Sequence, residues 1–522
     1  MNTVVDAIAA QRGGSGSLRV LDAGGVEHTL AWAEVHRKAC RVAGSLARQG
    51  IGPGDRVALL ADTGVDLVVA LQGVWLAGAA VTVLPLPTRQ SADAYLGHLC
   101  RIVADARPSL VLAGAPGLAT TLGAPVEDLA EFVARDTDGT PSTPDSTALA
   151  VLQYTSGSTR QPRGVPVTHG QLAANLAAIR SATRLDVARD RLLSWLPLSH
   201  DLGLVGFLAL PMAHGCDLIL QSPAAFAARP MSWFEAVTAY RATVTAGPNF
   251  AWGLMARLLA GADVDLGSLR MAITAAEPVV PADMRRLRQV LDPSVITCAY
   301  GLAEATLAVT LSTGLATDTV DPAALETRGE AVQARGGREL ARLGRPLDGV
   351  RLRIVDRDTG DELPERRVGR IEVAGPSVTL GYWGERNRAS EWLSTGDLGY
   401  LAGGELVVCG RESDLLFAAG RNVFPQDVEA AACAVPHVRA GNAVAFGVPG
   451  LVVAVESRLW ADREAVTAVR AGVTAAVVAE VGLTPRSVAV LPPGALPKTT
   501  SGKVRRAETR RRYLTHELEV SQ

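Results

Sequence analysis

A chain of 522 residues, 48% hydrophobic and 20% charged, is long enough for more than one buried core and too apolar for general disorder. Its 51 basic residues nearly cancel 53 acidic ones, for a net charge of −2, so no global field draws in nucleic acid or an anionic membrane, and an anionic ligand must be held locally. The six cysteines (Cys40, Cys100, Cys216, Cys298, Cys409 and Cys433) form no CxxC pair, which argues against a zinc cluster or a disulfide framework and fits a reducing cytoplasm.

Residues 1–17 lack a basic start followed by an apolar run, so no secretory signal is expected. Residues 67–87 carry no charge and could pass for a membrane span, but Gln72, Gly73, Gly78, Pro85 and Pro87 interrupt them. The β-branched Val81-Thr82-Val83 predicts instead a buried helix that gives way to a core strand near Gly78. Strand-like runs at 56–60, 109–113, 217–221 and 243–246 alternate with helical stretches at 170–183 and 281–290, the pattern of α/β layers. The polar, turn-rich stretch 136–144 reads as an exposed connection. Short strands at 350–356 and 369–374 flank the turn Asp358-Thr359-Gly360 and predict a smaller β-rich subdomain. At Gly410-Arg411-Glu412-Ser413-Asp414 a strand gives way to new mixed sequence. The expected fold is therefore a large layered α/β domain over 1–410, followed by a small α/β domain over 411–522.

Thr155-Ser156-Gly157-Ser158-Thr159 follows an apolar strand and precedes a helix. Consecutive hydroxyls and backbone N–H groups, curved by Gly157, can wrap phosphate oxygens, and Arg160 and Arg163 add charge at the rim. An ordinary Ser/Thr turn would look the same in isolation. The grammar is not that of a P-loop, because no GxxxxGK[ST] occurs; 497–504 has Pro497 for the first glycine and Val504 for the hydroxyl.

The loop resembles the signature of the adenylate-forming superfamily of acyl-CoA synthetases, peptide-synthetase adenylation domains and luciferases. Tyr300-Gly301-Leu302-Ala303-Glu304, Ser394-Thr395-Gly396-Asp397, Gly410-Arg411 with Gly420-Arg421-Asn422, and Pro497-Lys498 with Gly502-Lys503 follow in that family's order. The resemblance implies ATP and Mg²⁺, with Glu304 as the metal carboxylate. It further implies that Tyr300, with Gly301 after it, packs on adenine and that the backbone of Ala275-Ala276-Glu277-Pro278 lines the base. Asp397 and Arg411 would hold the ribose hydroxyls as acceptor and donor fork. Lys503 would bridge the substrate carboxylate and the α-phosphate. Ser413 falls at the position about which the small domain would rotate, where the family often has Asp or Lys. Each of these residues, taken singly, also has a plain structural reading.

Within that superfamily, Trp195-Leu196-Pro197-Leu198-Ser199-His200-Asp201-Leu202-Gly203-Leu204 resembles the WLPLxHDxGL pattern of fatty acyl-AMP ligases, as do Gln153-Tyr154 and Arg160 beside the phosphate loop. His200 would orient the substrate carboxylate or line the acyl channel, with Asp201 fixing its tautomer. Phe250 and Trp252 are expected to shorten the acyl pocket and favour a medium-length acid. Residues 312–342 are long enough to be the insertion by which such ligases restrain domain movement and disfavour coenzyme A, although a surface loop accounts equally well for the length. Arg163 and the short stretch 384–393 depart from the subfamily pattern and suggest a divergent member serving specialised biosynthesis. The expected acceptor is the phosphopantetheine thiol of a separate acyl carrier protein. The rival readings are an acyl-CoA synthetase and a non-catalytic relative that only binds nucleotide or carrier. No nucleic-acid partner is expected.

Overall fold

A computed structural model describes residues 2–521 apart from 12, 23, 25, 88–91, 156–161, 260–261, 387, 419–420 and 499–503. The chain forms two compact units. The first comprises Met1–Ala316, Leu343–Leu352 and Val373–Leu393; the second comprises Thr317–Arg342, Arg353–Glu372 and Ser394–Gln522.

The first unit carries two large sheets. Among the described residues one has nine strands, and five of its neighbours run parallel in the order Ile296–Gly301, Met271–Thr274, Val244–Gly247, Arg191–Ser194 and Asp217–Gln221. Parallel strands need crossover helices, and Ser232–Tyr240 and Asn249–Leu258 supply two of them. The other sheet has six strands, ending in the antiparallel hairpin of Leu149–Thr155 with Arg163–Thr168. Helix His169–Thr183 leaves that hairpin through a capping box. Gln171 N donates to Thr168 Oγ1 at 3.1 Å and Thr168 N donates to Gln171 Oε1 at 2.8 Å, worth about 1 kcal/mol against alanine at the cap.

The uncharged stretch folds as anticipated, a buried helix Val65–Leu76 and a strand Ala80–Val83. Gly78 joins them at φ +79°, a left-handed turn that a side chain would strain. No helix among the described residues is long and apolar enough to cross a membrane. The connection 136–144 is less exposed than its polarity suggests. Thr137 is buried and accepts from Arg48, Ser142 N donates to Leu76 O at 2.7 Å, and Gly139 lies against the backbone of Cys40 and Gly44.

The second unit is built from smaller pieces. Arg351–Val355, Gly369–Ala374, Leu393–Ala402 and Glu405–Arg411 form a four-stranded sheet, and the first of these strands begins where the first unit ends. A hairpin of Thr317–Val320 with Arg338–Ala341, spaced by helix Pro322–Arg328, shares a core with the four-stranded sheet through Val320, Leu325, Leu340, Tyr400 and Val407. After Ser413, Val438–Gly447, Leu451–Ser457 and Ser487–Leu491 make a three-stranded sheet covered by helices Pro425–Cys433 and Arg463–Val481. The long helix is amphipathic by its valines, with Val466, Val469, Val473 and Val477 all turned into that core.

Candidate nucleotide and acid site

In the nine-stranded sheet the carboxyl ends of the parallel strands carry the candidate residues side by side. Trp195 to Asp201 follow Ser194, Pro248-Asn249-Phe250 follow Gly247, Ala275 to Pro278 follow Thr274, and Tyr300 with Gly301 ends its strand. Open α/β sheets bind ligands along this edge, because the loops that leave it are free of the helix contacts that fix the strand interiors. Backbone strain marks the same edge. Ala276 has φ +71° and Thr306 φ +70°, conformations that a β-carbon, and a β-branched residue above all, adopts only when the surroundings impose them. Thr306 is pinned by its own Oγ1, which donates to Ser377 O at 2.8 Å. Gly301 admits no side chain, since a β-carbon there would fall 1.9 Å from Leu307 O where the strand bulges.

His200 and Asp201 stand at the head of a π-helix, Leu202–Ala209, every residue of which is buried. Asp201 Oδ1 accepts from Leu202 N at 2.8 Å, and Gln153 Nε2 donates to Ser199 O at 2.6 Å, tying this turn to the strand that enters the phosphate loop. Widened turns of this kind are rare and cluster at functional sites. Glu277 accepts from Phe250 N and so caps the helix Asn249–Leu258. Phe250 is 38% exposed, whereas Trp252 is enclosed, its indole donating to Gly247 O at 2.9 Å and Ile273 O at 3.0 Å. The two aromatics named for the acid pocket therefore differ: Phe250 presents ring surface, and Trp252 braces the strand ends from behind. The sequence reading missed the other rings here. Trp195 stacks on Phe226 with centroids 3.7 Å apart and meets Phe250 edge-on at 6.5 Å. Trp195 stood within the WLPLxHDxGL motif without a role for its ring, and Phe226 lay in no motif.

Thr155 is the last residue of its strand and pairs across the hairpin with Arg163. Ser156, Gly157, Ser158 and Thr159, with Arg160, lie outside the described residues. Arg163, read from sequence as rim charge for phosphate, is engaged otherwise. Its guanidinium lies 3.4 Å from the centre of the Tyr382 ring and donates to both oxygens of Glu385 at 2.8 and 3.0 Å. Tyr382, which no motif had marked, donates from its hydroxyl to Glu304 Oε1 at 2.7 Å. Glu304 itself lies in the short turn Ala303–Ala305 beyond Tyr300 and is partly exposed. Among the described residues no group of three or more His, Cys, Asp or Glu could hold a metal unaided. A single half-exposed carboxylate suits a hard cation that takes its remaining oxygens from nucleotide phosphates and water, as Mg²⁺ does.

In the second unit Asp397 and Arg411 are partners across one strand pair, with Arg411 Nε donating to Asp397 Oδ1 at 3.2 Å. Thr395 Oγ1 accepts from Asp397 N at 3.1 Å and donates to Ile371 O, fixing the turn that presents the carboxylate. Two residues beyond Arg411, Ser413 sits between oppositely committed acids. Glu412 accepts at 3.0 Å from Arg357, in the turn after strand Arg351–Val355, and at 3.2 Å from Arg370 of strand Gly369–Ala374, while Asp414 accepts from Arg506 on the terminal helix Arg506–Leu514. Arg506 also donates to Glu429 at 2.8 Å. Burial pushes the Glu429 carboxyl up and Arg506 only partly opposes it. Lys503 lies outside the described residues, although Lys498 and Val504 bridge on either side of it.

Comparison with known proteins places these features in one family. Residues 8–383 match the family model described as AMP-binding enzyme. A Mycobacterium tuberculosis protein named as a ligase is 40% identical over 93% of this chain and 94% of its own. A long-chain-fatty-acid–AMP ligase of Mycobacterium marinum is 33% identical over 94% of this chain and 93% of its own. A solved structure from work on fatty acyl-adenylate ligases of E. coli and L. pneumophila superposes with a TM-score of 0.93, at 33% identity, over 99% of this chain and 98% of that one. The chain belongs to the AMP-binding enzyme family and is an AMP-forming ligase with the fold of the fatty acyl-AMP ligases.

Proposed function

We propose, with that membership as premise, that the chain uses ATP to activate a fatty or related carboxylic acid as its acyl adenylate, then passes the acyl group to the phosphopantetheine thiol of a separate acyl carrier protein. The observation that carries this reading is the succession of His200-Asp201, Ala275 to Pro278 and Tyr300 along one carboxyl edge, with Glu304 just beyond. A carboxylate oxygen of the acid attacks the α-phosphorus, the new O–P bond forms, and the bond to pyrophosphate breaks with its electron pair leaving on pyrophosphate. No protein nucleophile is needed.

Tyr300 packs on the adenine, the backbone from Ala275 through Pro278 borders the base, and Asp397 accepts from the ribose hydroxyls while Arg411 donates to them. The loop from Thr155 to Thr159 holds the phosphates. His200, with Asp201, faces the acid at the mouth of a pocket walled by Phe250, which suits a medium-length chain. A divalent cation bound at Glu304, when present, offsets charge on the phosphates. Lys503 supplies a positive charge between the acid and the α-phosphate, where charge develops in the transition state.

Two further arrangements support a two-step cycle. Ser413 lies between Glu412 and Asp414, whose arginines belong to different elements, as a pivot requires. Within 317–342, Arg338 pairs with Asp427 at 2.9 Å, covers the Phe424 ring at 4.7 Å and donates to Cys409 O at 3.3 Å. It thereby links this segment to sequence on both sides of Ser413, in keeping with a restraint on movement of a 411–522 domain. The basic run 503–512 offers less to an acidic carrier than its composition suggests, because Arg506, Arg511 and Arg512 are all paired with nearby carboxylates.

The test is to supply ATP and acids of graded length with either holo-carrier or coenzyme A, following pyrophosphate and thioester. The reading expects acid-dependent pyrophosphate release and carrier loading. Efficient acyl-CoA formation would point to a coenzyme-A ligase instead.

A further inference from the structure

Residues 379–385 form a strap whose bonds reach Glu304 on one side and the strand Arg163–Thr168 on the other. Thr379 N donates to Glu304 O at 2.8 Å and the Tyr382 hydroxyl donates to Glu304 Oε1 at 2.7 Å. One residue on, Trp383 N donates to Gly164 O at 2.8 Å, in the strand that leaves the phosphate loop. Arg163, beside Gly164 and opposite Thr155, holds its guanidinium carbon 3.4 Å from the centre of the Tyr382 ring while its Nη2 donates to both Glu385 oxygens. A guanidinium can stack and fork at once, whereas an ammonium is a point charge and cannot.

We propose that Tyr382 is a positioning residue that aims the Glu304 carboxylate and, through Arg163, couples its orientation to the root of the phosphate loop. The proposal rests on the reading of Glu304 as the carboxylate of the nucleotide's cation. A carboxylate on a rotatable stem must otherwise lose rotamer freedom when a cation arrives; here one oxygen is already engaged by a phenol, and the other is left to meet the cation. The sequence departs from the subfamily pattern at Arg163, and that departure is the group that holds the Tyr382 ring.

The test uses the full-length protein with ATP and no acid, with Mn²⁺ binding read by electron paramagnetic resonance and melting temperature measured alongside. Tyr382→Phe removes one oxygen and leaves the ring under Arg163. Groups that orient metal ligands typically govern 10–100-fold in metal affinity, so Mn²⁺ binding should weaken about tenfold. The Mg²⁺ needed for half-maximal pyrophosphate release should rise by a similar factor, with KM for the acid unchanged and Tm within about 2 °C of wild type. Arg163→Lys, which keeps the charge but not the stacking fork, should shift Mn²⁺ affinity in the same direction by less. Wild-type Mn²⁺ affinity in Tyr382→Phe, or a loss that merely follows a fall in Tm, overturns the proposal. Glu304→Gln separates the two levels: if it binds Mn²⁺ like wild type, the metal reading fails and the proposal with it; if it weakens binding while Tyr382→Phe does not, the proposal alone fails.

Discussion

Around the nine-stranded sheet, burial is mostly carbon on carbon, with Trp233, Trp252 and Phe234 fully enclosed and each indole N–H satisfied by a neighbouring strand or loop. In the second unit the buried groups are often charged. Asp318, 2% exposed, takes hydrogen bonds from Tyr400, Arg366 and Arg342; Glu456, fully buried, pairs with Arg439; and Arg506 joins Asp414 to Glu429. Burial alone would raise the Asp318 carboxyl, but Tyr400 and Arg366 outweigh it and hold it below the ordinary range. Apolar packing is non-directional and has one deep minimum, which suits strand ends that must hold a nucleotide site still. Directional charge pairs, whose net worth is small because desolvation opposes attraction, are easier to break and remake. The unit that carries the proposed pivot and Lys503 adds pairs of the second kind to its apolar cores.

That contrast can be broken most sharply at Lys503. Lys503→Ala should lower acid-dependent pyrophosphate release about 10²–10³-fold while ATP binding, followed by intrinsic fluorescence, stays near wild type. Unchanged turnover would remove the second unit from the chemistry. Asp397→Ala deletes a charged acceptor worth about 1.5–3 kcal/mol, so nucleotide affinity measured by calorimetry should fall roughly 10–100-fold. Arg338→Met leaves Asp427 without its partner in a site where burial already pushes that carboxyl up to about 6. It should lower stability to urea by up to about 3 kcal/mol and leave adenylation within about twofold. A larger loss of adenylation would mean that the 317–342 segment serves the first step as well as restraining the second.

A pH-dependent effect lies in the first unit, at His169, wholly enclosed at the start of helix His169–Thr183. His169 has no hydrogen-bond partner for either ring nitrogen, and burial pushes it down to about 4 from 6.5. The unfolded chain therefore binds a proton that the folded chain refuses between pH 6.5 and 4. Stability from this site is fully present above pH 6.5 and is lost as pH falls through that window. His169→Phe should flatten that part of the acid limb in a series of thermal melts, and an unchanged limb would place the acid sensitivity in the charged second unit.

The sequence alone was enough for the strands at 56–60 and 217–221, the helix-to-strand change at Gly78 and the order of the nucleotide motifs, since period, β-branching and turn residues are local properties. Glu304, Asp397 and Arg411 stood out in the sequence because each lies in a motif of fixed residue types and spacing. The partners of those residues were not. Tyr382 lies 78 positions from Glu304, Arg163 lies 222 from Glu385, and nothing in either neighbourhood announces the other. Trp252 read as pocket lining because an aromatic near a site looks the same whether it faces the cavity or braces the wall. Arg163 read as free charge for the same reason. Which side of a side chain meets ligand and which meets protein is set by long-range pairing, and only the tertiary structure decides it.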